Sequence, residues 1–216
     1  MGRYLKGNKM NVNMLKAALV GLILSISGFA NAGLITIAVD RDAAVNNLNS
    51  ISDPNHQYIW TTDGIYTGLW GFDISSLIQN GSQINSMSVS FYHNYISTAG
   101  TVNVSLDTID DNWLENSGTA PAAFGTLLSS QFIDGSSLSS FVTFDISAIL
   151  SGDLSDGYFT LRTSTNNGQW IDFANSEYVP SNRAAFLTIN TTEVPEPSTL
   201  AIFALGMIGL ASRRFK

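Results

Sequence analysis

Cysteine is absent from all 216 residues. Its absence excludes disulfides, a thiol nucleophile, Cys-ligated zinc and an iron–sulfur cluster. An exported domain of ordinary size needs no disulfide, so its stability must come from a packed core, with bound ions an optional addition and calcium the candidate. Histidine is nearly absent too, with His56 and His93 the only two. No Gly-x-Ser-x-Gly elbow occurs for a serine nucleophile. His93, in "HNY", stands near Tyr95, which would suit a lyase-type pair, but the residue reads more simply as a strand histidine on a wet face. No catalytic residue is assigned, and a non-enzymatic protein is expected. Cations are also scarce where acids are not. Arg3, Lys6, Lys9 and Lys16 lie in the first 32 residues, and Arg213, Arg214 and Lys216 lie at the end. Only Arg41, Arg162 and Arg183 remain to face the fifteen acids between residues 33 and 192, which the whole-chain net charge of −7 hides. Such a body repels nucleic acid and anionic lipid at long range, and an acidic polysaccharide would need bridging cations.

The basic first stretch leads into the apolar run "AALVGLILSISGFA" and closes on Ala30-Asn31-Ala32. A cationic region, a short apolar core and a small-x-small step predict a secretory signal peptide over 1–32, cut by signal peptidase between Ala32 and Gly33. Met10 or Met14 would give a start of more ordinary length than Met1. At the other end the chain reads "VPEPSTLAIFALGMIGLASRRFK". Val194-Pro195-Glu196-Pro197 continues neither strand nor helix, because proline lacks the N–H and fixes φ. The apolar run from Ser198 to Ala211 is short for a bilayer span, which takes roughly 17–25 residues. Three cations after it hold that end in the cytoplasm.

This proline box, apolar helix and basic tail resemble the PEP-CTERM sorting signal of Gram-negative bacteria. The resemblance implies recognition by an exosortase and transient anchoring in the inner membrane through the C-terminal helix. It further implies cleavage near Pro195–Pro197 and delivery to the cell surface or extracellular matrix. The chain is thus divided into a signal peptide (1–32), a folded body (33–192) and a sorting tail (193–216).

The body has no sustained helical periodicity. Short apolar alternations recur, each closed by turn residues: "LITIAV", "YIWTT", "GLWGFDI", "MSVSFYHNYI", "TVNVSLDTI", "FVTFDI", "GYFTLRTS", "WIDFA" and "AAFLTIN". In "MSVSFYHNYI", Met87, Val89 and Phe91 fall on one face and Ser88, Ser90 and Tyr92 on the other. Period-two patterning with one polar face predicts antiparallel strands packed on one side. Eight to ten of them predict an all-β fold, an antiparallel sandwich of jelly-roll type. One phrase occurs twice, "FDISSLI" at Phe72 and "FDISAIL" at Phe144. It reads as a corner: a strand ends, Asp73 or Asp145 bonds the turn's backbone N–H in an Asx role, and one helical turn begins at Ser75 or Ser147.

The phrases Phe72-Asp73-Ile74-Ser75-Ser76-Leu77 and Phe144-Asp145-Ile146-Ser147 stand with a Trp113 loop ending in Ala120-Pro121, a late Ser176-Glu177 step, and an opening Asp42-Ala43. Together they resemble the DNRLRE-type domain over most of residues 34–190. That resemblance implies a β-sandwich of the kind grouped with carbohydrate-binding modules, and polysaccharide as a partner.

Sugar binding would use aromatic faces with amides and acids beside them. Trp60, Trp70, Trp113, Trp170, Tyr66, Tyr92, Tyr95 and Tyr178 are available. Trp113, flanked by acids, is expected to be exposed and is taken with Glu115, Tyr92 and Tyr95 as the ligand-binding set; Trp70 is expected in the core. Asp107, Asp110 and Asp111, close to Asn112 and Glu115, are the candidate calcium ligands, hard oxygens at short spacing. Asp40 and Asp42 form a second small cluster.

Overall fold

Alternating residues become strands along most of the body. The computed structural model describes residues 32–48, 50–51, 57–79, 83–97, 100–115, 118–121, 125–151, 154–166, 168–178 and 181–192. The signal peptide up to residue 31, the sorting tail and His56 therefore lie outside the described residues, while Ala32 opens the first strand. In chain order the strands are β1 (Ala32–Ala38), β2 (Arg41–Asn46), β3 (Tyr58–Thr62), β4 (Tyr66–Asp73), β5 (Gln83–Ile96), β6 (Val102–Ile109), β7 (Leu127–Ile133), β8 (Ser140–Asp145), β9 (Tyr158–Asn166), β10 (Trp170–Ala174) and β11 (Phe186–Thr192). A short helix, α1 (Ser75–Gln79), and 3₁₀ turns at Gly135–Ser137, Ser147–Ser151 and Ser181–Arg183 connect them.

The pairings are antiparallel throughout, as the alternation predicts. The strands join in one curled sheet, in the order β1-β11-β5-β10-β3-β4-β9-β6-β7, with β2 on β4 and β8 on β5. The sheet branches at β5. Ser90 pairs with both Phe186 and Thr143, and His93 with both Phe173 and Ser140. So β11 and then β10 follow one edge of β5, and β8 follows the other. The curl encloses a core around Trp70, Phe72, Phe91, Phe144 and Phe173. Burying apolar area of this kind supplies the main stabilisation of the fold, at about 25 cal/mol per Å².

Both corner phrases behave as read. Asp73 Oδ1 accepts the Ser75 N–H at 2.8 Å, and Asp145 Oδ1 accepts the Ser147 N–H at 2.9 Å. Those bonds to the charged form hold both carboxyls below the ordinary range, with the serine hydroxyl the larger contributor and the backbone N–H the second. The Ile74 and Ile146 side chains that follow are fully buried.

Candidate functional site

The solvent face of β3, β10 and β5 is built from aromatics. The register places Asp172 opposite Trp60 on one side and Tyr95 on the other, with Trp170 two residues back along β10. Side chains of paired residues share a face, and i and i+2 share it along a strand. Ile59, Ile171 and Phe173 point the other way, into the core. Tyr95 reaches this face through an irregularity. The register slips between Asp172 and Phe173 so that Phe173 pairs with His93 rather than Asn94. The extra residue is a β-bulge, which flips side-chain parity. It turns Tyr95 outward and sends Ile96 into the core, whereas Phe91 and His93 before it face inward.

The rings touch in a row. Tyr95 meets Trp170 at 5.7 Å between centroids, Trp170 meets Trp60 at 6.5 Å, and Trp60 meets Tyr66 at 5.5 Å, all edge-on. Edge-to-face pairs at such distances are favoured by the ring quadrupoles. Tyr95 is 47% exposed and Trp170 40%. Trp170 Nε1 donates to Asp172 Oδ1, which fixes the indole plane. Tyr66 ends the row and also lines an open cleft of about 440 Å³ whose other walls include Asn46, Asp63, Thr67, Ser164 and Arg162.

Asp172 sits under this row, and burial pushes its carboxyl up to about 6, with the Trp170 N–H acting the other way. Tyr58, on the same face, has its phenol raised, chiefly by burial, with the Asp172 charge a minor contributor. A carboxyl that titrates higher folded than unfolded binds its proton more tightly in the fold. Its cost is therefore absent below the unfolded value near ~4 and complete above about 6. Asp172→Asn, which keeps an acceptor for Trp170, should be more stable than the parent by about 2 kcal/mol at ~pH 8 and no different at ~pH 4. Urea unfolding at the two pH values measures it.

Of the four residues expected to bind ligand, only Tyr95 is in this row. Trp113 is 3% exposed, not a surface residue. Its Nε1 donates to Thr160 Oγ1 at 2.9 Å, and the Arg41 guanidinium lies 4.9 Å over its ring while donating to the Trp113 and Asp111 carbonyls. With Ala43, Val45, Leu69, Ile109 and Ala120 it forms a second small core on the other side of β4. Tyr92 is buried as well, covered by Phe141, Tyr178 and Arg183. His93 is not on a wet face: it is fully buried, its Nδ1 is 2.8 Å from Ser137 Oγ, and desolvation lowers its pKa.

Asp107, Asp110 and Asp111 are not brought together as one set of ligands. Asp107 pairs across the ladder with Arg162 at 3.9 Å. Asp110 Oδ1 caps the Asn112 N–H, and Asp111 presents its backbone carbonyl to Arg41. Among the described residues, the acids whose oxygens lie within 4.8 Å of one another are Asp42, Glu115 and Glu177. Asp42 is 1% exposed, and burial pushes its carboxyl up to about 7. The Ser176 N–H opposes that shift, while the Glu177 and Glu115 charges add to it.

Residues 193–214 match the PEP-CTERM protein-sorting motif. PEP-CTERM sorting implies recognition by an exosortase during export and placement at the cell surface in Gram-negative bacteria. No curated protein matches the chain. Among solved structures, a mutant GH29 fucosidase of Ruminococcus gnavus in complex with fucose aligns at 11% identity and a TM-score of 0.20, covering 79% of this chain and 27% of that one. The PEP-CTERM motif is thus the finding that bears on function, and it concerns where the protein goes.

Proposed function

We propose that this exosortase-sorted protein is a non-enzymatic polysaccharide-binding protein of the bacterial surface or its extracellular matrix. One observation carries the reading: the row Tyr95–Trp170–Trp60–Tyr66 runs across the solvent face of adjacent strands and ends at an open cleft with polar side chains in its walls. Pyranose rings present apolar C–H faces that stack on aromatic surfaces, and Asn46, Asp63, Thr67 and Ser164 supply groups that can read hydroxyls. Exposed apolar surface kept at the surface of an exported protein points to a partner. The surplus of acids makes a neutral glycan the better substrate for this face than an anionic one. The resemblance to the DNRLRE-type domain, and with it the reading of the curled sheet as a jelly-roll-like sandwich, belongs to the same proposal. So does release of the signal peptide by signal peptidase. The non-enzymatic part belongs to the same proposal, with buried His93 set aside as a catalytic candidate.

Affinity-gel electrophoresis of the full-length chain on neutral polysaccharides tests the proposal. Retardation of the parent and at least about tenfold weaker retardation of Trp170→Ala are expected, the loss typical of truncating a central tryptophan. No retardation on any glycan leaves a purely structural surface protein. Release of reducing ends makes it an enzyme.

A further inference from the structure

We infer that Asp42, Glu115 and Glu177 form a binding site for a divalent cation of calcium type, separate from the aromatic row. The three come from distant parts of the chain: β2, the loop after β6 and the turn after β10. They meet because β2 lies on β4 while the turn Asn175–Ser176–Glu177 folds back to Asp42, whose Oδ2 accepts the Ser176 N–H at 2.8 Å. Glu177 is itself held in place. Its Oε1 accepts from Ser176 Oγ at 2.8 Å and its Oε2 from Asn175 Nδ2 at 2.7 Å. Glu115 accepts the backbone N–H of Asp42.

Proximity of acids is not a site by itself. What points to a ligand is the pair of oxygens left over. Asp42 Oδ1 and Glu115 Oε1 are both shut off from solvent, and neither accepts a hydrogen bond. A buried carboxylate oxygen without a donor is costly, and native structures rarely leave one. Among the described residues no arginine forms an ion pair with either carboxylate, and the Arg41 charge acts on Glu115 only as the last and smallest of its influences. Arg41, the nearest, turns its guanidinium to the carbonyls of Trp113 and Asp111 and lies against the Trp113 and Tyr158 rings. Arg162 faces Asp107, and Arg183 stands over Tyr92 and Tyr178.

The spacing and chemistry select the ion. Two oxygens bound to one calcium at about 2.3–2.6 Å are at most about 5 Å apart, and these three carboxylates lie within 4.8 Å of one another. All donors are hard oxygens with no histidine or thiolate, which excludes a typical zinc centre. Calcium tolerates irregular geometry and fills its shell with carbonyls and water, whereas magnesium demands a near-ideal octahedron. Extracellular modules bind calcium in the range of about 10⁻⁴–10⁻³ M, which suits a protein sorted to the surface.

Thermal unfolding of the full-length chain, first in chelator and then with calcium chloride up to about 10 mM, tests the site. The melting temperature should rise by several degrees, saturably, as expected for an ion that binds only the folded state. Glu177→Gln keeps an acceptor for Ser176 at an exposed position. It gives up the bond from Asn175, so its melting temperature in chelator serves as its own baseline, and against that baseline it should lose the calcium shift. Asp110→Asn, in the acidic stretch beside the site, should keep it. Terbium titration adds a spectroscopic readout, because Trp113 stands two residues from Glu115 and should sensitise emission in the parent but not in Glu177→Gln. No calcium shift in the parent, an equal shift in Glu177→Gln, or a shift abolished only by Asp110→Asn overturns the assignment. None of these readouts involves a glycan, so they are independent of the aromatic row.

Discussion

Trp70→Ala is expected to lower the stability of the fold by about 4 kcal/mol, the range measured when a fully buried large aromatic is truncated. Trp70 is 0% exposed and stands at the centre of the core aromatics, 4.7 Å from Phe91 and 6.3 Å from Phe173 between ring centroids. Its Nε1 donates to Thr163 Oγ1 at 3.3 Å, which satisfies its one polar atom. The ring has room only because residue 68 lacks a side chain. A Cβ on Gly68 would come 2.5 Å from Ile59 Cγ2, 2.5 Å from Thr163 Oγ1 and 2.9 Å from Trp70 Nε1. The indole is thus wedged between three strands, and neighbours held in ladders cannot collapse far into the void. A cavity that cannot close keeps its full cost. For a body of this size the loss corresponds to a fall in melting temperature of roughly 10–15 °C. Trp70→Phe retains most of the apolar area and loses the hydrogen bond, so a deficit of only about 1–2 kcal/mol is expected. Urea unfolding of the parent and both variants, compared at equal m-value, measures the difference; an alanine variant within about 1 kcal/mol of the parent would show that Trp70 is not the keystone of the core.

Much of this core is legible in the sequence, because strand alternation is a local signal. Met87, Val89 and Phe91 face inward as their spacing predicts, and so do Val102, Val104 and Leu106. Two strands are not legible, and each escapes for a physical reason. In β2 the four residues from Asp42 to Val45 are all buried, so nothing alternates. Ala44 faces the main core while Ala43 and Val45 meet Trp113 and Leu69 on the other face. β7, at the edge of the sheet, is mostly solvated and carries a polar centre, Ser129-Ser130-Gln131, that reads as a turn. Both corner phrases are legible because an Asx turn is settled by residues two apart.

The functional side chains are harder, since their surroundings are assembled from afar. Trp113 looks exposed beside Asp110, Asp111 and Glu115. Arg41, 72 residues earlier, covers it, and Thr160, 47 residues later, takes its N–H. The aromatic row draws on four strands, and the bulge that exposes Tyr95 has no local signature. The acidic clusters near Asp40 and Asp107 are visible as stretches, yet the convergent group takes Asp42 from one, Glu115 from the edge of the other and Glu177 from neither. Local density of acids marks loops; only strand pairing decides which carboxylates face one another.

Gly157→Ala should destabilise the fold by more than about 3 kcal/mol, by joining two costs that can be separated. Gly157 has φ +77°, in the left-handed region. An alanine there carries a strain of roughly 1–2 kcal/mol. It would also put its Cβ 2.4 Å from Ser75 Cα and 2.8 Å from Ser75 N, backbone atoms that cannot swing aside. Those atoms belong to the first corner phrase. The Gly157 carbonyl accepts the Ile74 N–H at 2.7 Å, so the turn that starts β9 is clamped to the corner that ends β4. Any displacement must pull on the Asp73–Tyr158 end of the β4–β9 ladder. Gly168 supplies the control, because its φ is +62° but a Cβ there meets nothing within 4 Å. Gly168→Ala should therefore show the strain alone, about 1 kcal/mol. Gly157→Val, with a branched side chain in the same conformation, should fail to fold. Melting temperatures of the two alanine variants decide the matter: equal losses would mean that the corner yields and the close approach at Ser75 costs nothing, whereas a loss at Gly157 at least twice that at Gly168 places most of the energy in the contact between the two corners.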